Sequence, residues 1–159
     1  MSRIVYVNGE FVAEQDAVIS VFDRGFLFAD AVYEVSSVLE GKLIDNDAHL
    51  KRLRRSLSEL SITLPTTDEE IIRVQRELIE RNDLKEGLIY LQATRGTAER
   101  DFPFPSDPKP GLVMFSQAKN IRNAPQAKEG IAVISVPDIR WKRRDIKTCL
   151  LYTSPSPRD

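Results

Sequence analysis

The sequence AVYEVSSVLEGKLIDNDAHLKRLRRSLSEL, residues 31–60, changes from one hydrophobic period to another and decides the fold class. Its first part, residues 31–39, is rich in β-branched and aromatic side chains and predicts a strand, which a turn at residues 40–41 closes. Side chains alternate along a strand, so Tyr33 and Glu34 are expected on opposite faces of the sheet.

The second part has a helical period, with leucines three or four residues apart. These are Leu50, Leu53, Leu57 and Leu60. Basic residues lie between them, so residues 47–60 are predicted to form an amphipathic helix. Thr67 and Glu70 form a capping-box pair and predict a second helix over residues 68–82.

Runs of β-prone residues on both sides of the helices complete the fold prediction. Asn8-Gly9 divides residues 4–12 into a hairpin, because this dipeptide supplies the positive φ angles of a tight turn. Residues 23–25, Asp-Arg-Gly, predict another turn. Further strands are predicted at 88–94, 112–116 and 131–136, and four prolines between the first two require a loop there. Hairpins followed by helices and more strands are typical of an α+β fold.

Composition excludes several classes of protein. The chain has 159 residues, 42% of them hydrophobic, which suffices for one domain with a core, and its net charge of -1 gives no general attraction for nucleic acid. No apolar run approaches the ~20 residues of a membrane span. The single cysteine, Cys149, and the single histidine, His49, allow neither an internal disulfide nor a Cys/His zinc site. A cytoplasmic protein is therefore expected.

One basic segment has two interpretations. Residues 141–148, Trp-Lys-Arg-Arg-Asp-Ile-Lys-Thr, place four cations beside an aromatic residue. Such a run is commonly a solvated surface. Alternatively, neighbouring cations lower the pKa of a lysine amine, and the free lone pair can then form a Schiff base with an aldehyde.

Four segments, in the same order, resemble the D-amino-acid transaminases, which belong to the class IV aminotransferases that use pyridoxal phosphate. The segments are DRGFLFADAVYEV at 23–35, HLKRL at 49–53, IYLQATRGT at 89–97 and DIRWKRRDIKT at 138–148. The resemblance covers residues 4–148. It implies that the cofactor is pyridoxal 5′-phosphate and that the substrates are small amino acids and 2-oxo acids.

The resemblance implies roles for five residues. Lys147 aligns with the catalytic lysine that holds the cofactor as a Schiff base and moves the substrate proton. Arg52 matches the arginine that grips the cofactor phosphate, and His49 matches a histidine near the cofactor. Tyr33 matches a tyrosine that faces the substrate, and Arg100 an arginine that binds the substrate carboxylate.

Other interpretations of these residues stay open. Without the resemblance, Arg52 fits a solvated helix surface, His49 a hydrogen-bonded structural histidine and Tyr33 a half-buried core residue. Many of these transaminases have a second carboxylate-binding residue, a histidine, two positions after the arginine, where this sequence has Phe102. This departure affects the substrate pocket and not the transaminase chemistry.

The resemblance also predicts a domain organisation. Residues 1–120 are expected to form the N-terminal α+β domain of the D-amino-acid transaminase-like fold, and residues 121–148 a linker and the first strand of a second domain, which carries Lys147. Family members are nearly twice as long, and the resemblance ends after Thr148. The chain is therefore expected to be truncated, with residues 149–159 a non-native or disordered tail.

The function implied is transfer of an amino group between a D-amino acid, such as D-alanine, and a 2-oxo acid. The full-length form is expected to be a homodimer that binds neither nucleic acid nor membrane, and the truncated chain alone is expected to be inactive. Alternatives within the family are an aminodeoxychorismate lyase, a branched-chain transaminase and an amine transaminase. A domain that binds a ligand or partner without catalysis is an alternative of another class.

Overall fold

The centre of the fold is a six-stranded antiparallel sheet. The structure, a computed structural model, describes residues 2–139 and residue 142. The strands are β1 (Ile4–Val7), β2 (Glu10–Ala13), β3 (Ala31–Leu39), β4 (Lys42–Leu43), β5 (Glu86–Thr94) and β6 (Gly111–Ala118). Their order across the sheet is β2-β1-β6-β5-β3-β4, and every neighbouring pair is antiparallel. The predicted α+β class is therefore confirmed.

The first hairpin has the predicted turn. Asn8 and Gly9 have φ angles of 48° and 105°, and they join β1 to β2 with Val7 opposite Glu10. Positive φ at both central positions matches the right-handed twist of the two strands. Because β1 also pairs with β6, the hairpin is part of the main sheet.

Two long helices cover one face of the sheet. They are α2 (Asn46–Glu59), which packs on β3, and α3 (Asp68–Arg81), which packs on β1 and β6. Their bounds lie within one residue of the predicted ones. Thr67 caps α3 as predicted, because its hydroxyl accepts a hydrogen bond from the backbone N–H of Glu70 at 3.2 Å.

The core lies between the sheet and the two helices. On β3, Val32, Glu34, Ser36 and Val38 are buried beneath α2, whereas Tyr33 is 66% exposed on the other face. The period of two predicted for this strand is thus confirmed. Fully buried apolar side chains from the helices and the sheet meet in this layer, among them Leu53, Ile71, Leu78, Ile89, Leu91 and Met114.

The structure differs from the sequence prediction at residues 23–25. These residues were expected to form a turn, but they begin a short helix, α1 (Arg24–Phe28). The carboxylate of Asp23 accepts the N–H of Gly25 at 2.7 Å and caps the helix. An Asp before Arg-Gly serves equally as a turn residue and as a helix cap, and the sequence pattern does not separate the two.

The strand predicted at 131–136 is also wrong. Residues 131–139 have no regular secondary structure, and a short helix, α4 (Pro125–Glu129), precedes them. Ile131, Val133, Ile134 and Val136 are each at least 70% exposed. A strand requires a neighbour that takes its backbone hydrogen bonds, and within the described residues this segment pairs with none. The predicted domain division at residue 120 stays a prediction.

Candidate active site

A buried carboxylate on β3 holds an exposed arginine on α2. Glu34 is 5% exposed and Arg52 is 65% exposed. The Nε and Nη2 atoms of Arg52 donate to Oε1 and Oε2 of Glu34 at 2.6 and 2.7 Å. A bidentate pair fixes both the position and the plane of the guanidinium. The chain thus presents an oriented cation at the surface.

His49 completes this cluster. It lies one helical turn before Arg52, and its Nδ1 is 2.9 Å from Oε2 of Glu34. A carboxylate only accepts hydrogen bonds, so the proton of this contact is on Nδ1. The ring is 24% exposed, and within the described residues its other nitrogen, Nε2, forms no hydrogen bond. We call Glu34, His49 and Arg52 the Glu34 cluster.

The charges of the cluster stabilise one another. The hydrogen bond from Arg52 is the main reason why the pKa of Glu34 lies below its ordinary value, and it outweighs the opposing effect of burial. The same hydrogen bond, followed by the negative charge of Glu34, raises the pKa of Arg52.

The Glu34 cluster can bind an anion. Glu34 occupies only the Nε and Nη2 edge of the guanidinium, and within the described residues Nη1 has no hydrogen-bond partner. One negative carboxylate faces a permanent positive charge and a titratable imidazole. A phosphate group suits this arrangement, because it accepts hydrogen bonds from the guanidinium edge that Glu34 leaves open and, when the imidazole is protonated, from Nε2–H of His49.

Tyr33 lies on the open face of the sheet, opposite to Glu34. Its ring stacks on Tyr90 at a centroid distance of 5.7 Å, and Tyr90 stacks on Phe115 at 4.9 Å. The phenol of Tyr90 donates to Gln92 at 2.7 Å. This aromatic row fixes the plane of Tyr33 while most of its surface stays accessible.

Arg100 lies in the loop between β5 and β6, among aromatic rings. Its guanidinium is 5.2 Å from the ring centre of Phe28 and 5.8 Å from that of Phe102. In the part of the chain that the structure describes, Arg100 forms no ion pair, and it shares no hydrogen bond or ring contact with Tyr33. Its charge is therefore available to a ligand.

A buried ion cluster supports the loop of Arg100. Asp30 accepts hydrogen bonds from Arg24 at 2.8 Å and from Arg95 at 2.7 and 3.0 Å, and both arginine side chains are 4% exposed. Burial opposes ionisation of Asp30, but the hydrogen bonds from Arg95 and then Arg24 outweigh it and lower its pKa. Arg24 also donates to the carbonyl of Asp101 at 2.8 Å, directly after Arg100.

Residues 31–153 match the model of the amino-transferase class IV family. This chain belongs to the class IV aminotransferases. The match contains the strand and the helix that carry the Glu34 cluster. The predicted family is therefore confirmed.

Several curated relatives of this class IV aminotransferase are named D-alanine aminotransferase. The one from Staphylococcus epidermidis is 41% identical over 145 residues, which are 91% of this chain and 51% of that relative. The one from Staphylococcus haemolyticus has the same identity and coverage, and the one from Listeria monocytogenes is 35% identical over 146 residues. The chain spans about half the length of the curated relatives it matches.

Solved structures support the same fold. The branched-chain amino acid aminotransferase of Escherichia coli superposes with a TM-score of 0.72 at 17% identity, over 80% of this chain and 43% of that one. The 4-amino-4-deoxychorismate lyase of Pseudomonas aeruginosa has a TM-score of 0.58 at 24% identity, over 87% of this chain and 43% of that one. At these identities the likeness concerns the fold.

Two of the five predicted site residues of the class IV aminotransferase lie together. These are His49 and Arg52, which share Glu34, whereas Tyr33 lies on the opposite face of the sheet. Arg100 lies in a separate loop, and Lys147 lies outside the described residues. No metal-binding group of His, Cys, Asp or Glu occurs within residues 2–139, and no helix in this range could cross a membrane.

Sequence reasoning did not assign Glu34 to the site. A usable signal was present, because Glu34 lies on the buried face of its strand between Val32 and Ser36. A carboxylate at such a position requires a cationic or hydrogen-bonding partner. The basic helix that follows in the sequence could have been named as the element that supplies this partner.

Proposed function

We propose that the complete protein is a pyridoxal-phosphate-dependent transaminase that moves an amino group between a D-amino acid, such as D-alanine, and a 2-oxo acid. The observation that carries the proposal is the orientation of Arg52 by Glu34, with one guanidinium edge left for a phosphate. The identity of 41% to D-alanine aminotransferases supports this substrate class. It favours D-amino acids over the substrates named for the more distant structural neighbours.

The Glu34 cluster fits the phosphate end of this cofactor. Arg52 would donate to the phosphate from Nη1, while Glu34 keeps its guanidinium in place. When protonated, His49 would donate its Nε2–H to the phosphate and add a second positive charge. When bound, pyridoxal phosphate supplies an electron sink for the bonds at the substrate Cα.

Lys147 is the proposed catalytic residue. Its amine would hold the cofactor covalently while neutral, since only the free lone pair attacks an aldehyde. Once the substrate has replaced it, the same Nζ would take the proton from the substrate Cα and return it as an acid. The basic residues 142–144 favour the neutral amine that both steps need.

Tyr33 and Arg100 are proposed to bind the substrate. The unpaired guanidinium of Arg100 would offset the α-carboxylate, which loses water on binding. Tyr33 would orient the substrate with its exposed phenol. The proposal includes a homodimer in the cytoplasm, and its support is the resemblance together with the single cysteine of the sequence.

Cofactor affinity of Arg52 variants tests the proposal. In the complete protein, Arg52→Ala should weaken pyridoxal phosphate binding by about 10²-fold, the order expected when a charged contact loses one partner. Arg55→Ala is the matched control, because Arg55 is an exposed arginine one turn from Arg52 on α2 and has no ion pair within residues 2–139. Equal affinity of both variants would contradict the role of Arg52. A complete protein without a visible cofactor absorbance band would instead support a non-catalytic binding domain.

A further inference from the structure

A chain of hydrogen bonds lies deeper in the core, next to the Glu34 cluster. The hydroxyl of Ser36 donates to Oδ1 of Asn46 at 2.7 Å, and Nδ2 of Asn46 donates to Oε1 of Gln75 at 2.7 Å. Ser36 is 1% exposed and Gln75 is 2% exposed. We call these three residues the inner polar chain. It links β3, α2 and α3 inside an otherwise apolar layer.

The inner polar chain and the Glu34 cluster form two parallel connections between β3 and α2. Ser36 follows Glu34 by two residues on the same strand face. On α2, Asn46 precedes His49 by three residues, about one turn. The helix therefore runs antiparallel to the strand, with Asn46 opposite Ser36, and with His49 and Arg52 opposite Glu34.

The first turn of α2 has no side-chain cap of its own. The preceding residue, Asp45, is in the left-handed conformation with φ 50°, and its carboxylate caps no N–H of the helix. The amide of Asn46, the first residue of α2, instead bonds to Ser36 and Gln75 in the core. The start of α2 is thus fixed by contacts with other elements.

We propose that Ser36, Asn46 and Gln75 are positioning residues that set the register of α2 on β3 and so hold His49 and Arg52 against Glu34. A shift of α2 by one residue, about 1.5 Å along its axis, would break both hydrogen bonds of Asn46. It would also leave the amide of Gln75 buried without a partner, which is more costly than the loss of a solvated hydrogen bond. The part of this inference that concerns phosphate binding rests on the proposed function.

NMR spectroscopy of the 159-residue chain tests the positioning role without any ligand. His49 is the only histidine, so its ring signals need no further assignment. The Nε–H of Arg52, which is hydrogen-bonded to Glu34, is identified as the arginine signal that Arg52→Lys removes. Gln75→Leu should abolish the protected Arg52 Nε–H signal and shift the His49 ring signals. Ser36→Ala removes a single hydroxyl from the inner polar chain. It should weaken the Arg52 signal and shift the His49 signals in the same way, but to a lesser degree.

Val74→Ala is the matched control, because Val74 is a fully buried neighbour of Gln75 on α3 with no part in the inner polar chain. It should lower the melting temperature and leave the Arg52 and His49 signals in place. If Val74→Ala disturbs these signals as much as Gln75→Leu, or if neither Gln75→Leu nor Ser36→Ala moves them, the positioning role is refuted. A Gln75→Leu chain too unstable to fold would leave the decision to Ser36→Ala.

A titration with inorganic phosphate separates this inference from the proposed function. In the unmodified chain, phosphate should shift the Arg52 and His49 signals, and Ser36→Ala should raise the apparent dissociation constant by about threefold to tenfold. Suppose that phosphate does not shift the Arg52 and His49 signals of the unmodified chain, while Gln75→Leu and Ser36→Ala do change them. This result would refute the phosphate site and support the positioning role. Phosphate binding that is unchanged in every variant would refute the positioning role and support the site.

Discussion

Arg24 donates a hydrogen bond to the backbone carbonyl of Asp101 at 2.8 Å, although the two residues are 77 positions apart in the sequence. Arg24 is buried and is itself held by Asp30. The ring of Phe28 lies 4.7 Å from the guanidinium of Arg24 and 5.2 Å from that of Arg100. The loop that carries Arg100 is therefore attached to the rest of the domain in two ways, through the backbone carbonyl of Asp101 and through the side chain of Arg100.

Asp30→Asn should strongly destabilise the domain. The substitution leaves the buried guanidinium groups of Arg24 and Arg95 without their carboxylate, and breaking such a pair costs about 3 to 5 kcal/mol. Urea denaturation followed by circular dichroism measures the loss. Asp83→Asn is the control, because Asp83 is 84% exposed in its pair with Lys85 and should leave the midpoint close to the original. Similar losses for both variants would contradict the importance of the buried cluster.

The contribution of Glu34 to stability should depend on pH. Its pKa is lowered in the folded state from an ordinary value of 4.5, so its stabilising effect is complete above pH 4.5 and is lost as the pH falls through the folded pKa. The difference in unfolding free energy between the original chain and Glu34→Gln should therefore be largest near neutral pH and shrink in acid. Denaturation midpoints measured at a series of pH values test this. A difference that is constant down to strongly acidic pH would count against the ion pair.

The 159-residue chain should be catalytically inactive with pyridoxal phosphate. The cofactor depends on the protein for its binding, orientation and electrostatic environment, and the chain spans about half the length of the curated relatives it matches. Borohydride reduction followed by peptide mapping, together with a transaminase assay, tests this expectation. Selective labelling of Lys147 accompanied by turnover would show the opposite.

Arg100→Ala in the complete protein should lower kcat/KM for D-alanine by ~10²-fold or more, because one partner of a charged contact is removed. Phe102 offers no hydrogen bond to the carboxylate, so Arg100 should carry more of the binding than in relatives with a histidine there. Amines without a carboxylate should be affected far less. Equal losses with both substrate types would indicate a structural role. A preference of the original enzyme for such amines would favour an amine transaminase.

Most of the fold could be predicted because its elements have strong local patterns. The leucines of α2, the Thr67 cap of α3 and the Asn8-Gly9 turn each act over a few residues, and the structure has all three. The segment 131–136 shows the limit of such patterns. Its apolar residues resemble a strand, but a strand also depends on a neighbour that the pattern itself does not specify.

The candidate site was predictable only in part. Arg52 and His49 were found through the family resemblance, whereas Glu34, which holds both, was not. The same applies to Asp30, which joins Arg24 to Arg95 across 71 positions of sequence. Pairs of this kind arise when different segments pack together. The hydrophobic period of a single sequence predicts the helices and strands, but it does not predict which side chains of different elements meet.

The place of β1 in the sheet has a consequence for biosynthesis. Val5 pairs with Phe115, so the first strand must find its partner 110 positions later in the chain. During translation, β1 and β2 leave the ribosome long before β6, and until then β1 has only its hairpin neighbour. Contacts of such long sequence separation form slowly, since they close a large loop. The pairing of β1 with β6 is therefore expected to be among the last steps in the folding of this domain.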